Sequence, residues 1–237
     1  MKKFCAILFS FVLIVVLALP AAAEGESAAL SDTAPSLTAP AAYVVNLDTN
    51  IVVYDKNSEV PLSAASLTKM MTALLFLESG KDMNAEITIP ASLTQEFKDI
   101  QNANGTTMGL RIGETVRRID LLNALLITSA NDAASVIAWD VGGSLNAFIQ
   151  QMNARAAELG CTSATFTCAH GLYDYGNVAS AEDMAKIAAA CAANETFAQV
   201  AGSTTYTLGQ TNFHSEQRTI SSSNPLMDAS GAYYKDS

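Results

Sequence analysis

Hydrophobic alternation first becomes regular at Ala42. Tyr43-Val44-Val45-Asn46-Leu47, the polar Asp48-Thr49-Asn50 and Ile51-Val52-Val53-Tyr54 are two β-branched runs around turn formers. They predict a hairpin with Asn50 in a left-handed conformation. Beyond Pro61 the pattern changes. Residues 64–78 lack Gly and Pro and are apolar nearly all round, with Ser63 placed as a cap and Gly80 as a stop. That predicts a helix buried within the domain. Further helices are predicted at 119–128, 133–141, 144–159 and 180–193. Thr204-Thr205-Tyr206-Thr207-Leu208 and Gln217-Arg218-Thr219-Ile220 read as closing strands. Strands first, helices between and strands last predict a mixed α/β (α+β) domain whose sheet is assembled from both chain ends.

The first 40 residues follow neither period. Lys2 and Lys3 precede an apolar run from Phe4 to Leu19, Pro20 breaks it, and Ala21-Ala22-Ala23 supplies small residues. Residues 1–23 read as an export signal, with an uncleaved N-terminal anchor as the alternative. Either places the domain outside the cytoplasmic membrane: on its outer face, in a periplasm or in the cell wall. Residues 24–40 are mostly Ala, Ser, Thr, Pro and Glu, too poor in large apolar side chains to offset ordering entropy, and are expected to be a disordered linker. The folded domain is then 41–237.

Charge narrows the function. Acidic residues number 23 against 13 basic ones, two of them in the signal. Without clustered Lys and Arg the chain is not expected to bind nucleic acid or a membrane surface by charge. Cys5 falls in the signal, which leaves Cys161, Cys168 and Cys191. An odd count is not a disulfide framework, and which pair could oxidise after export stays open. No spacing suggests a metal, and no cofactor is expected.

The chemistry is concentrated in two places. Lys69 is the only charge between Ser66 and Leu77 on the predicted buried helix. A lysine there must find a partner or surrender its proton, since desolvation lowers an amine's pKa. Ser66 lies three residues earlier on the same face, a hydroxyl beside a base at a helix N-terminus. The alternative is a lysine that snorkels to water beside a near-cap serine. The second place is Ser129-Ala130-Asn131-Asp132, where one apolar helix ends and another begins. Such a junction can aim a hydroxyl and an amide into a cleft, or simply cap a helix.

The Pro61–Glu78 segment, with Ser66-Leu67-Thr68-Lys69, resembles the active-site helix of low-molecular-mass penicillin-binding proteins, the serine-type D-alanyl-D-alanine carboxypeptidases. Further blocks follow in the family's order: Gly109-Leu110-Arg111-Ile112-Gly113-Glu114, Leu125 to Asp132, Met152-Asn153 with Leu159-Gly160, His170-Gly171-Leu172, Ser180-Ala181-Glu182-Asp183-Met184, and Arg218 to Leu226. The resemblance implies a β-lactamase/transpeptidase-like fold with an antiparallel sheet and an all-helical subdomain. It implies that Ser66 attacks the carbonyl between the terminal D-alanines of a peptidoglycan stem peptide. Lys69 would act as base, Ser129 as proton relay, Asn131 as holder of the substrate amide, with β-lactams acylating the same serine. His170 and Asp183 are expected to be a pair steadying a loop near the cleft, with an ordinary turn histidine as the alternative.

The family's third motif, Lys-Thr-Gly on a sheet strand, is absent, and the sequence stops at Tyr233-Tyr234-Lys235-Asp236-Ser237. This is expected to be a shortened catalytic domain, silent as given, with its first hairpin uncovered. Membrane association is expected only through the family's C-terminal amphipathic helix, also missing. A class A β-lactamase is disfavoured, because no Glu-Xaa-Xaa-Leu-Asn pattern follows Asn131. A D,D-endopeptidase and a non-catalytic cell-wall binding module remain as alternatives.

Overall fold

The computed structural model describes residues 36–172, 176–222 and 224. The predicted hairpin is β1 (Ala42–Val45) paired antiparallel with β2 (Val52–Lys56), and Asn50 takes φ 56° in its turn. The Asn46 side-chain oxygen closes that turn by accepting the Asp48 and Thr49 amides at 3.0 Å. The export signal and residues 24–35 of the linker lie outside the described residues. The linker's last residues are held, which the sequence did not suggest. Lys56 Nζ donates to the Leu37 and Ala39 carbonyls at 2.7 and 2.8 Å, and Asn57 Nδ2 to Pro40 at 2.9 Å. A stretch outside any ladder leaves its carbonyls free to accept such donors.

The helix predicted from 64 begins later. Leu62–Ser63 is a two-residue strand, β3, followed by a 3₁₀ turn at Ala65–Leu67 and then by α1 (Thr68–Glu78). β3 pairs antiparallel with β6 (Val178–Ala179), and the Ala64 amide bonds Asn177 O at 3.2 Å, so the backbone stays extended where propensity favours a helix. Ser63 therefore caps nothing.

Short or weakly periodic elements escaped the sequence reading: β4 (Glu86–Thr88) with β5 (Thr115–Arg117), α2 (Thr94–Asn102) and α7 (Glu195–Ala201). The strongly patterned helices fall within two residues of expectation: α3 (Arg118–Ile127), α4 (Asn131–Gly142), α5 (Leu145–Glu158) and α6 (Ala181–Ala192).

The core is built around α1. Met71, Ala73 and Phe76 have no exposed surface and meet Leu121 and Leu122 of α3, Val136 and Ile137 of α4, and Phe148 and Met152 of α5, all equally buried. Each large side chain so enclosed contributes roughly 1.5–3 kcal/mol. Gly142 permits the α4–α5 corner, because a Cβ there would stand 2.6 Å from the Phe148 amide nitrogen. Between helices Arg118 holds Asp140 through two bonds of 2.7 and 3.0 Å, and Arg155 holds Glu78 through two of 3.0 and 2.7 Å.

Strands β7 (Thr205–Leu208) and β8 (Arg218–Ser221) return as predicted and pair antiparallel. Among the described residues the two chain ends contribute two separate antiparallel ribbons, with no ladder joining them. The C-terminal ribbon is anchored on α3: Tyr206 OH donates to Asp120 Oδ1 at 2.9 Å and the Gly209 amide to Oδ2 at 3.3 Å. The N-terminal ribbon packs on α6 instead. Among the described residues no helix is long and apolar enough to cross a membrane.

Candidate active site

The chain enters α1 through strain. Ala65 has φ 44°, a left-handed conformation that costs a non-glycine residue of order 1 kcal/mol or more. Its carbonyl lies under Gly171, where any side chain would collide with it. Ser66 follows in the 3₁₀ turn, exposed to solvent, and its hydroxyl accepts no capping bond from a helix amide. The near-cap reading of this serine is therefore set aside.

Lys69 is the opposite case. It is 3% exposed, which excludes snorkelling. Its Nζ stands 3.3 Å from Ser66 Oγ and donates to the His170 carbonyl at 2.8 Å. Burial pushes its amine down from 10.5 to about 8, partly offset by the nearby Cys168. A neutral fraction is thus available near neutrality, and among the described residues the amine has no carboxylate partner that would keep it charged.

Thr68, Lys69 and Thr72 form a polar stripe on the otherwise apolar helix, and a strap at 167–172 lies along it. Thr72 Oγ1 donates to Ala169 O at 2.6 Å, Lys69 to His170 O, and the buried Asn177 ties Thr68 Oγ1 (2.6 Å) to the Thr167 amide (3.2 Å). The strap then crosses to the second motif: a Cβ on Gly105 would meet both Leu172 Cδ2 and Asn131 Nδ2 at 2.9 Å.

The second motif repeats the strained entry. Ser129 has φ 57°, and Ala130 precedes α4 without a side-chain cap. Ser129 is half-buried; among the described residues no hydrogen bond joins it to Ser66 or Lys69. Asn131, 4% exposed, gives both its backbone N–H (2.8 Å) and its Nδ2 (3.0 Å) to Thr106 O. Asp132 accepts the Met108, Gly109 and Leu110 amides at 3.0 Å each, fixing that loop, although burial raises its carboxyl above the ordinary range. Neither Ser129 nor Asn131 caps α4 through its side chain.

The expected pairing of His170 with Asp183 does not form. His170 Nε2 is 3.0 Å from Glu96 Oε1, and Glu96 also accepts Ser135 Oγ at 2.9 Å. Asp183, in the first turn of α6, binds the Thr162 amide (3.0 Å), the Ser163 amide (2.9 Å) and Ser163 Oγ (2.7 Å) instead. Burial works against its ionisation, but these donors outweigh it and hold its carboxyl below the ordinary range. A carboxylate with that many local donors has no need of the histidine. Glu96 was missed because α2 carries no motif, and Asn177 because it lies in a loop; the Thr68/Thr72 stripe was readable as polar residues on a buried helix.

Comparison with known proteins fits this geometry. The family described as D-alanyl-D-alanine carboxypeptidase, peptidase family S11, matches residues 28–232, and the chain belongs to it. It is 31% identical over 188 residues to a D-alanyl-D-alanine endopeptidase of Escherichia coli (strain K12), a match covering 79% of this chain and 58% of that one. It is 30% identical over 188 residues to D-alanyl-D-alanine carboxypeptidase DacF of Bacillus subtilis (strain 168), covering 79% and 47%. The chain thus spans about half the length of these relatives. Among solved structures, the DD-transpeptidase of Streptomyces K15 superposes with TM-score 0.76 at 28% identity, over 84% of this chain and 78% of that one. The fold is accordingly that of the β-lactamase/transpeptidase-like penicillin-binding proteins.

Proposed function

We propose that the protein is a penicillin-sensitive, serine-type D-alanyl-D-alanine carboxypeptidase acting on peptidoglycan stem peptides. The observation that carries the reading is the contact of Ser66 Oγ with a buried lysine whose amine titrates near 8. Ser66 Oγ attacks the carbonyl carbon of the penultimate D-alanine while Lys69 accepts the hydroxyl proton. Ser129 passes a proton to the departing nitrogen, the C–N bond breaks and D-alanine leaves. Water then hydrolyses the Ser66 ester. Asn131, with Nδ2 committed to Thr106, offers its side-chain carbonyl to a substrate N–H. The His170–Glu96 contact and Asp183 support the scaffold and stay out of the chemistry. A β-lactam acylates Ser66 by the same attack.

Residues 1–23 serve as export signal, 24–40 as linker and 41–237 as catalytic domain, placing the enzyme at the cell wall with a role in cell shape. Ser66→Ala in the full-length gene product should abolish covalent labelling by a fluorescent penicillin with an unchanged circular dichroism spectrum; persistent labelling overturns the assignment. Release of free D-alanine from a pentapeptide, without cleavage of a cross-linked dimer, is the outcome expected of a carboxypeptidase. Cleavage of the cross-link instead would favour the endopeptidase reading, which the first relative's name also supports.

A further inference from the structure

The strap at 167–172 is held from two sides. On the α1 side, Thr72 Oγ1 and Lys69 Nζ donate to the Ala169 and His170 carbonyls at 2.6 and 2.8 Å. On the other side the strap borders a cavity of about 320 Å³ that no α1 residue lines, with Ile100 of α2, Ala138 of α4 and Ile149 of α5 among its walls. A void gives the strap room to retreat, because its lining has no atoms to press against. One side chain bridges that side. His170 Nε2 meets Glu96 Oε1 of α2 at 3.0 Å, and among the described residues no other hydrogen bond ties 168–172 to α2 or α4.

The contacts of the ring fix where its proton sits. His170 Nδ1 accepts the Leu172 amide at 3.0 Å, so that nitrogen carries no proton and Nε2 is the N–H that Glu96 receives. The same Glu96 oxygen accepts Ser135 Oγ at 2.9 Å, and Ser135, with no exposed surface, stands one turn beyond Asn131 on α4. The His170 hydrogen bond foremost, and that of Ser135, keep the Glu96 carboxyl below its ordinary range although burial opposes its ionisation. A carboxylate on α2 thus joins the strap that anchors Lys69 to the helix that presents Asn131.

We propose that Glu96 and His170 are positioning residues for Lys69: the pair fixes the strap, sets the His170 carbonyl against the Lys69 amine and keeps that amine in register with Asn131. Neither residue touches a reacting atom. The kinetic consequence rests on the reading of Ser66 and Lys69 given above; the hold on the amine does not.

What the pair controls is the water around the amine. Lys69 is buried against the strap, and burial is the largest cause of its titrating near 8. A strap released into the cavity admits water, which relieves that burial and replaces the lost carbonyl as acceptor, so the amine rises toward its ordinary 10.5. Cys168 on the strap and Ser66 on the 3₁₀ turn face the amine, and among the described residues no carboxylate does, so the charge of Glu96 has no direct hold on it.

The test compares Glu96→Gln, Glu96→Ala and His170→Ala in the full-length gene product. Lys69 is titrated by NMR of protein carrying isotope-labelled lysine, its resonance assigned by its loss in Lys69→Arg, and acylation by a fluorescent penicillin is timed from pH 6 to 10. Glutamine keeps an acceptor for His170 Nε2 without the charge, so Glu96→Gln should stay within about threefold of the unmutated rate at pH 7 with its Lys69 midpoint unmoved. Glu96→Ala and His170→Ala should each raise the Lys69 midpoint by about half a unit or more and slow acylation at pH 7 by about tenfold, a deficit that narrows as pH rises. Their combination should be no worse than either alone. Ser135 loses its acceptor in Glu96→Ala, so if that variant melts too low to assay, His170→Ala carries the same readings. A Lys69 midpoint unchanged in the alanine variants overturns the proposal, as does a Glu96→Gln enzyme as slow as Glu96→Ala, or losses that add in the double variant. An unmutated protein that never acylates, with a midpoint that moves as stated, counts against the Ser66 reading alone.

Discussion

The helices of this protein begin in two ways. α5, α6 and α7 start on Ser144, Ser180 and Asn194, whose side chains accept the amides of Ala147, Asp183 and Phe197. Their entry backbones are extended and unstrained. α1 and α4 start without any side-chain cap, and just upstream of each stands a non-glycine residue at positive φ, Ala65 at 44° and Ser129 at 57°. α2 and α3 also lack side-chain caps, but no left-handed residue leads into them, so a missing cap alone does not mark the site. The capped starts stabilise the fold. The strained starts present Ser66, Ser129 and Asn131, and the surrounding packing holds a conformation the local sequence would not choose.

The largest effect expected from this division is on Lys69. It sits in the first turn of a strained helix, and its role requires losing a proton, which a guanidinium does not do at working pH. Lys69→Arg should slow acylation by about 10²-fold or more, the scale for losing a positioned proton-transfer group. In the unmutated enzyme, acylation should fall about tenfold per unit as pH drops below about 8, where the amine becomes protonated. Stopped-flow acylation from pH 6 to 9 measures both. A flat profile, or near-normal acylation by the arginine variant, would show that charge alone matters at this position.

The capped class should respond in stability and not in rate. Ser180→Ala removes the acceptor of the Asp183 amide, 3.1 Å away in a 2%-exposed setting. The expected cost is about 1 kcal/mol, or roughly 2–4 °C in Tm for a domain of this size. Penicillin acylation should be unchanged, because α6 lends no side chain to the proposed chemistry. A rate loss without a change in melting would erase the distinction between the two classes.

The same division explains what the sequence disclosed. Ser144 and Ser180 stand before well-patterned helices, and those helices were legible to within two residues. The start of α1 was not, because Asn177, more than 100 residues away, keeps the backbone extended through Ala64. Ser66 and Lys69 were legible because a lone charge on an apolar helix demands a reason. Glu96 was not, since its partners His170 and Ser135 come from distant loops and helices and leave no local pattern. The His170–Asp183 pairing failed for a related reason. The resemblance suggested it, because the two residues flank a loop that the family places near the cleft, whereas Asp183 satisfies itself on Ser163 next to its own helix.

The smallest effect tests the strain itself. Ala65 is exposed and Gly171 touches its carbonyl, so deleting its methyl sacrifices little packing. Glycine adopts φ 44° without the Cβ penalty, a gain of order 1 kcal/mol, while its freer unfolded chain takes back roughly half or more. Ala65→Gly should therefore raise Tm by about 1–2 °C. The added freedom falls on the residue before Ser66, so acylation should slow by about two- to fivefold as the hydroxyl wanders from the amine at 3.3 Å. Calorimetry beside acylation kinetics separates the outcomes. A variant that melts lower and acylates at the normal rate would mean that the left-handed entry to α1 is relaxed and that the contrast between strained and capped starts has no bearing on the site.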